Sequence, residues 1–231
     1  MGSTRFPPES FLGHLDGQVM ELLESGGSRR RFMPDDTLCR EGERASTVLV
    51  VLSGSVKLTK LARSGREVVL ELRGPGDVLG EMSVIDGEPR SATAVGLSAV
   101  TALTIAADRF SELLRTCAPL AHALLMVTVR RLRQASTRQL ELGTVDVLGR
   151  VCGRLAELAD SHGVPEGSAV RINAGISQQE LADWAGVSRD GVVRTLTTLR
   201  GLGLVESSRH TITVLDLDAL RLRAQYGLLE D

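Results

Sequence analysis

Two short polar pairs, Gly80-Glu81 and Arg90-Ser91, lie ten residues apart and carry the side chains best suited to bind a ligand. A glycine lets backbone N–H groups approach an anion closely because it has no Cβ, and amides aligned in a turn form an anion-binding nest. Arginine adds a charged fork for phosphate oxygens, with a serine hydroxyl beside it. Glutamate would repel a phosphate but accepts hydrogen bonds from a sugar hydroxyl. The stretch therefore predicts a site for a nucleotide monophosphate, and the alternative is a hairpin loop with solvated charges.

The segment that surrounds these pairs has the pattern of an all-β domain. Five β-rich runs are separated by turns: Thr47–Leu52, Ser55–Leu61, Glu67–Leu72, Ala92–Val95 and Val100–Ile105. Glycines recur at intervals of 11 or 12 residues, at positions 42, 54, 65, 76 and 87. Short strands with turn signals at that interval predict a jelly-roll-like β-roll. A helix over Phe11–Glu24 precedes it, so the predicted fold class is α+β.

A long helix is predicted after the β-roll, from about Leu120 to Leu142, and Asp108 is expected to cap a short helix before it. One face carries residues at alternating steps of four and three, as in a dimeric coiled coil: Ala121, Leu125, Thr128, Leu132, Ala135, Gln139 and Leu142. This seam is weak, because small or polar residues alternate with leucines, and a weak seam allows two dimer arrangements that a ligand can bias. The alternative is a helix packed on its own domain. Arginines flank the seam, and one of them, Arg131, is a candidate for facing the nucleotide site.

Residues 176–196 predict a helix, a glycine turn and a second helix, which is the pattern of a helix-turn-helix. Ser177 and Glu180 form a capping box at the start of the first helix. Gly186 turns the chain, and Ser188 caps the second helix.

A two-stranded wing is predicted to follow, over Leu204–Glu206 and Thr211–Val214. In a helix-turn-helix the N-terminal residues of the second helix reach base edges in the major groove. Here these residues are Arg189, Asp190 and Arg194, with arginine suited to guanine and a carboxylate to the cytosine amino group. Other polar residues are suited to phosphates: Ser177, Gln178, Ser188, Ser208, Arg209 and His210. The alternative is a helical hairpin that contacts protein without DNA.

The net charge of the 231-residue chain is −2, so binding to nucleic acid would require a locally basic surface. Between residues 186 and 215 four arginines stand against two acidic residues. Cysteines 39, 117 and 152 and the four histidines are scattered, which predicts neither a metal site nor an iron–sulfur cluster. No apolar run reaches the length of a membrane span and no signal segment is apparent, so no membrane association and a cytoplasmic location are expected.

The stretch from residue 80 to 92 resembles the phosphate-binding cassette of cyclic-nucleotide-binding domains in the CRP/FNR family of bacterial transcription regulators. The matching residues have the family's order and spacing: Gly80, Glu81, Arg90, Ser91 and Ala92. The second helix resembles the recognition helix of the same family, and the resemblance covers roughly residues 11–222. Asp190 stands where the family usually has Glu, and Gly191 where it has Thr or Ala, so the operator preference is expected to differ.

The resemblance implies a cyclic nucleotide as allosteric effector, with Arg90 and Ser91 on the phosphate and Gly80 and Glu81 on the sugar. Members selective for cyclic AMP read the base with a Thr-Ser pair on the long helix, which aligns here with Ala135-Ser136 and lacks one hydroxyl. The expected ligand-binding set is Gly80, Glu81, Met82, Arg90, Ser91, Arg131, Ala135 and Ser136. Cyclic AMP is the expected effector, with cyclic GMP or another nucleotide as alternatives.

The resemblance also implies a homodimer that binds a pseudo-palindromic operator in double-stranded DNA and contacts RNA polymerase. The expected domains are a β-roll (11–118), a dimerisation helix (119–143), a hinge (144–146) and a winged helix-turn-helix (147–231). The predicted function is therefore a sequence-specific transcription regulator controlled by a cyclic nucleotide. It is not expected to be an enzyme, because the sequence shows no nucleophile–base constellation and no Walker-type loop. Two alternatives remain: a DNA-binding regulator whose ligand site is vestigial or takes another small molecule, and a nucleotide sensor that acts on a protein partner.

Overall fold

The computed structural model describes residues 6–63, 65–172, 175–208 and 211–226. The chain forms two compact units. The first contains the residues up to Glu67 together with Glu71–Gln134, and the second contains Val68–Leu70 together with the residues from Ala135 onward. Both units combine helices with sheets, which confirms the predicted α+β class.

The first unit contains the predicted β-roll. Its strands, in chain order, are β1 (Gly27–Phe32), β2 (Thr37–Cys39), β3 (Thr47–Ser53), β4 (Val56–Leu61), β5 (Glu67–Arg73), β6 (Val78–Leu79), β7 (Thr93–Gly96) and β8 (Val100–Ala106). One sheet has the order β1-β8-β3-β6 and the other has the order β2-β7-β4-β5. The five glycines that separate the predicted strands all have φ between +75° and +91°, as expected for turn positions.

Four helices accompany the sheets: α1 (Gly17–Ser25), α2 (Met82–Ile85), α3 (Ala107–Thr116) and α4 (Ala118–Thr144). Strand β3 is buried on both faces, which explains its continuous apolar sequence. Leu49 and Val51 pack with side chains of both sheets. Val48 and Val50, which alternate with them, pack in a second core with residues of α1, α3 and α4. The first half of α4 therefore belongs to the core of the first unit.

Two expectations about the helices of this unit are wrong. The single helix expected over Phe11–Glu24 is a 3-10 turn at Leu12–His14 followed by α1, because Asp16 starts a new helix by accepting a hydrogen bond from the Val19 amide at 2.9 Å. Asp108 does not cap α3, since β8 leads directly into the helix and the N-cap residue is Ala106. Asp108 lies in the first turn of α3, where its negative charge interacts favourably with the positive end of the helix dipole.

The second unit carries the winged helix-turn-helix beyond the end of α4. Its elements are α5 (Val147–His162), β9 (Gly163–Glu166), β10 (Ala169–Ile172), α6 (Gln178–Ala185), α7 (Arg189–Gly201), β11 (Val205–Ser207), β12 (Ile212–Val214) and α8 (Leu217–Tyr226). Asp146 caps α5 as its sequence position suggests, with the Gly149 amide 2.7 Å from its carboxylate.

The wing is larger than predicted. Strands β11 and β12 belong to a four-stranded antiparallel sheet of order β11-β12-β10-β9. The sequence of residues 162–167, with its glycines and proline, predicts a loop, but Gly163–Glu166 form the edge strand β9. Pro165 signals a turn in sequence but is tolerated on an edge strand, where no ladder partner needs its missing N–H.

Among the described residues, no single helix is long and apolar enough to cross a membrane. Helices α3 and α4 meet that test only as a pair, by length and composition, and are bent by 105° at their junction.

Candidate nucleotide site and DNA-binding face

The turn that follows β6 is built around Gly80 and Arg90. Gly80 has φ +77°, and a Cβ placed on it would lie 2.1 Å from Nη1 of Arg90. The Arg90 guanidinium donates to the Gly80 carbonyl at 2.5 Å and also to the carbonyl of Thr47 in β3. Arg90 is only 5% exposed. It therefore ties the start of the cassette to the central strand of the β-roll.

The second buried charge of the cassette is Glu81, which is paired with α4. Nη1 of Arg131 lies 2.6 Å from Oε1 of Glu81. Nη2 of Arg131 donates to the Val78 carbonyl at 3.0 Å and lies 3.7 Å from a carboxylate oxygen of Asp77. Arg131, proposed from sequence to face the nucleotide site, thus contacts the residue expected to bind the sugar.

The structure joins four of the expected ligand-binding residues in two contacts, Gly80 with Arg90 and Glu81 with Arg131. Met82, the first residue of α2, and Ser91 are both exposed. Ala135 and Ser136 are exposed on the part of α4 that belongs to the second unit.

Sequence reasoning missed a further ion pair in this unit, between the partly buried Glu71 and the buried Arg73 of β5. Nη1 and Nη2 of Arg73 lie 2.5 and 2.6 Å from the two oxygens of Glu71. Burial alone would lower the pKa of Arg73, but the adjacent Glu71 carboxylate outweighs it and raises that pKa. Burial and the nearby charge of Arg73 lower the pKa of Arg131. The spacing of two residues along a strand, which places both side chains on one face, could have revealed the pair.

The helix-turn-helix has the predicted caps. The Ser177 hydroxyl accepts from the Glu180 amide at 3.2 Å, and the Glu180 carboxylate accepts from the Ser177 amide at 2.8 Å. Gly186, with φ +65°, ends α6 in the left-handed conformation. The Ser188 hydroxyl accepts from the Gly191 amide at 3.1 Å at the start of α7. These bonds confirm the helix, turn and helix read from the sequence.

The expected base-reading residues Arg189, Asp190 and Arg194 are all exposed on α7. None of these three side chains forms an ion pair with another described residue. Val192 and Leu196 are buried on the opposite side of the helix. The polar side of α7 is therefore available to a partner.

A groove of about 680 Å³ lies between α6, α7 and the wing strands. Four predicted DNA-binding residues line it: Ser177, Gln178, Arg189 and Ser208. Three polar residues that the sequence did not single out also line it: Gln179, Ser207 and Thr211. Arg209 and His210, expected to contact phosphates, lie outside the described residues.

A buried tryptophan anchors α6 to its neighbours. The guanidinium carbons of Arg138 and Arg154 lie 5.6 and 5.5 Å from the ring centre of Trp184, within the range of cation–π attraction. Arg154 is paired with Glu141 at 2.6 Å and with Glu157 at 3.1 Å. Residues of α4, α5 and α6 thus form one charged cluster, which fixes the first helix of the motif.

The three cysteines are free and belong to no metal-binding group of the described residues. No group of three or more His, Cys, Asp or Glu residues in the described part of the chain could hold a metal ion. Burial raises the pKa of the Cys39 thiol, and it raises the pKa of Cys152 to about 12. A thiol with such a pKa stays protonated at neutral pH, which agrees with a structural role for Cys152.

The fold and both sites define a class of protein, namely a regulator that joins a nucleotide-binding β-roll to a DNA-binding winged helix. Residues 29–117 match the family described as the cyclic nucleotide-binding domain, and residues 149–223 match the Crp-like helix-turn-helix domain. The chain is 32% identical over 194 residues to the CRP-like cAMP-activated global transcriptional regulator of Mycobacterium tuberculosis, which covers 84% of this chain and 87% of that protein. The chain belongs to the CRP/FNR family of transcription regulators.

Two other relatives show the breadth of this family. The chain is 31% identical over 211 residues to the cyclic AMP receptor protein of Thermus thermophilus, which covers 91% of this chain and 94% of that protein. The solved structure of the c-di-GMP-responsive global regulator CLP of Xanthomonas campestris matches with a TM-score of 0.70 and 27% identity, covering 86% of this chain and 99% of that one. Because the family consists of transcription regulators, the prediction that the chain is not an enzyme is confirmed.

Proposed function

We propose that this regulator is a homodimer whose affinity for a pseudo-palindromic operator is raised by cyclic AMP. The observation that carries the proposal is that both buried charges of the cassette are held by specific contacts. Arg90 donates to the Gly80 carbonyl, and Glu81 forms an ion pair with Arg131. A cytoplasmic location and contact with RNA polymerase are parts of the same proposal, by analogy with the family.

The phosphate of the nucleotide would be held by Arg90 and Ser91. A guanidinium has five N–H donors, and the two bonds of Arg90 to backbone carbonyls leave donors for phosphate oxygens. The exposed Ser91 hydroxyl is adjacent in the chain. On the sugar side, Arg131 engages Oε1 of Glu81, and Oε2 offers an acceptor for a ribose hydroxyl.

The base would be read by Ser136 alone, since Ala135 has no hydroxyl. Loss of one hydrogen bond costs about 1 kcal/mol of binding free energy. Selectivity for adenine is therefore expected to be weaker than in relatives that have both hydroxyls.

Dimerisation is supported by the exposure of the predicted seam on α4. Leu125 and Leu132 are 59% and 67% exposed, whereas Leu124 and Val127 are buried in the core of the first unit. The seam therefore faces away from its own core, as a dimer interface requires.

Isothermal titration calorimetry with cyclic AMP, cyclic GMP and cyclic di-GMP tests the ligand, and anisotropy with an operator selected from random duplexes tests the DNA. Cyclic AMP is expected to bind and to raise operator affinity about tenfold or more, and operator affinity should fall steeply with salt. Equal operator affinity with and without every nucleotide would overturn the allosteric part of the proposal.

The variant Arg189→Ala/Arg194→Ala provides the matched control. It is expected to bind cyclic AMP as the wild type does and to lose operator binding, because both arginines lie exposed on α7. Unchanged operator binding would contradict the assigned DNA face, and retained regulation of a protein partner would favour the alternative without DNA.

A further inference from the structure

The Glu71–Arg73 pair of β5 has no assigned role in the proposed nucleotide site. The Arg73 side chain is 8% exposed and Glu71 holds it through two short ion-pair contacts. Nε of Arg73 is buried without a hydrogen-bond partner among the described residues. A buried ion pair is often no more stabilising than apolar residues of similar size. Replacing both members of the pair by apolar residues should therefore cost the fold little, whereas removing one of them leaves the other charge without its partner.

The pair lies within electrostatic range of the cassette charges. The amide of Gly74, the residue after Arg73, donates to one oxygen of Asp77 at 2.9 Å, and Nη2 of Arg131 lies 3.7 Å from the other oxygen. The charges of Asp77 and Glu81 also act on Arg73, and those of Glu71 and Arg73 act on Arg131. The group contains two guanidiniums and three carboxylates in a largely buried setting. Two buried arginines that lie close together repel each other, so each needs its own carboxylate.

The observed pairing meets this requirement in one specific way. Both oxygens of Glu71 are engaged by Arg73. Arg131 contacts Glu81 at 2.6 Å and the Val78 carbonyl at 3.0 Å. Removing Arg73 would leave the charge of Glu71 to act on Arg131 without its present counter-charge, and removing Glu71 would do the same for the charge of Arg73.

We propose that Arg73 and Glu71 are positioning residues for the nucleotide site, which keep Arg131 on Glu81 and so hold the Glu81 carboxylate in place for the sugar hydroxyl. This inference rests on the proposed binding of a cyclic nucleotide. It assigns a role in ligand affinity to a pair that lies outside the cassette.

A double-mutant cycle measured by calorimetry with cyclic AMP tests the inference. Arg73→Leu and Glu71→Leu are each expected to weaken binding about tenfold, and Arg73→Leu/Glu71→Leu to bind within about threefold of the wild type, because no uncompensated charge acts on Arg131 when both charges are gone. Arg109→Leu, which removes an exposed ion pair with Glu112 in the same unit, is the control and should bind normally. A purely structural role would lower the free energy of unfolding of the single variants, measured by chemical denaturation, without weakening their binding of cyclic AMP.

Arg73→Lys keeps a positive charge beside Glu71 and should bind cyclic AMP more tightly than Arg73→Leu. Equal affinities of these two variants, or a folded double variant that binds as weakly as the single ones, would overturn the inference while leaving the proposed function intact. A wild-type protein that binds no cyclic nucleotide would overturn both. Should the single variants fail to fold, the double variant and Arg73→Lys still decide the question.

Discussion

At the scale of single residues, Gly80 and Gly87 share a backbone conformation but differ in their surroundings. Their φ angles are +77° and +75°, so alanine is expected to cost about 1–2 kcal/mol of stability at either position. A Cβ at Gly87 would meet nothing within 4 Å, whereas one at Gly80 would lie 2.1 Å from Arg90 Nη1. Gly80→Ala should therefore also displace Arg90 and abolish most nucleotide binding, while Gly87→Ala should retain it.

Chemical denaturation and calorimetry of the two variants measure these effects. If Gly80→Ala and Gly87→Ala bound cyclic AMP equally well, the contact between Gly80 and Arg90 would have no part in binding.

The residues predicted most accurately from sequence are those whose role is local. The capping box of Ser177 and Glu180 joins positions three residues apart, so its geometry follows from helix structure alone. The partners of Arg90 are not local, since Thr47 lies 43 residues away in the chain. The burial of this arginine depends on strand pairing in the complete β-roll. Its side-chain direction therefore could not be derived from the cassette motif.

At the scale of elements, α5 contains two glycines that alanine should affect in opposite directions. A Cβ at Gly153 would lie 3.8 Å from the Ala224 Cβ, an ordinary contact, so Gly153→Ala should stabilise the protein by about 0.5–1 kcal/mol through helix propensity. A Cβ at Gly149 would lie 2.6 Å from Val145 and 3.2 Å from the capping carboxylate of Asp146. Gly149→Ala should destabilise by about 1–3 kcal/mol.

Thermal unfolding of the two variants provides the measurement. The expected result is opposite shifts in Tm relative to the wild type. A lower Tm for Gly153→Ala would show that α5 and α8 pack more tightly at this point than the 3.8 Å contact indicates.

Elements with strong periodicity were predicted well, and short or polar ones were not. The predicted α4, from Leu120 to Leu142, differs from the observed helix Ala118–Thr144 by two residues at each end. Strand β1 was missed because its sequence contains Arg29, Arg30 and Arg31 in succession, with no alternation of polar and apolar residues. Strand β1 is an edge strand that pairs with β8. Charged side chains are common on edge strands because they prevent pairing with a strand of another molecule.

At the scale of the whole molecule, the exposed leucines of α4 predict the oligomeric state. Replacing Leu125 and Leu132 together by Glu places like charges in the proposed seam and should convert the proposed dimer to a monomer, with loss of operator affinity. Leu140→Glu is the control, since Leu140 is 66% exposed but lies off the seam. Sedimentation velocity distinguishes the species, and a dimer that survives the double substitution would exclude this seam.

The order of the domains followed from motifs, but the division of the chain into units did not. The units divide between Gln134 and Ala135, within α4. Hydrophobic periodicity continues through this point because a helix is defined by local hydrogen bonds. Membership in a compact unit depends instead on contacts with residues far along the chain, which periodicity does not report.

The cluster around Trp184 also gives the protein an optical property. Trp184 is the only tryptophan in the sequence, so selectively excited indole emission comes from one buried ring in α6. The wavelength and intensity of this emission are expected to depend on the guanidinium groups of Arg138 in α4 and Arg154 in α5. A rearrangement that moves Arg138 of α4 away from the Trp184 ring is expected to alter that emission. The wild-type chain thus carries a single intrinsic fluorophore within the cluster formed by α4, α5 and α6.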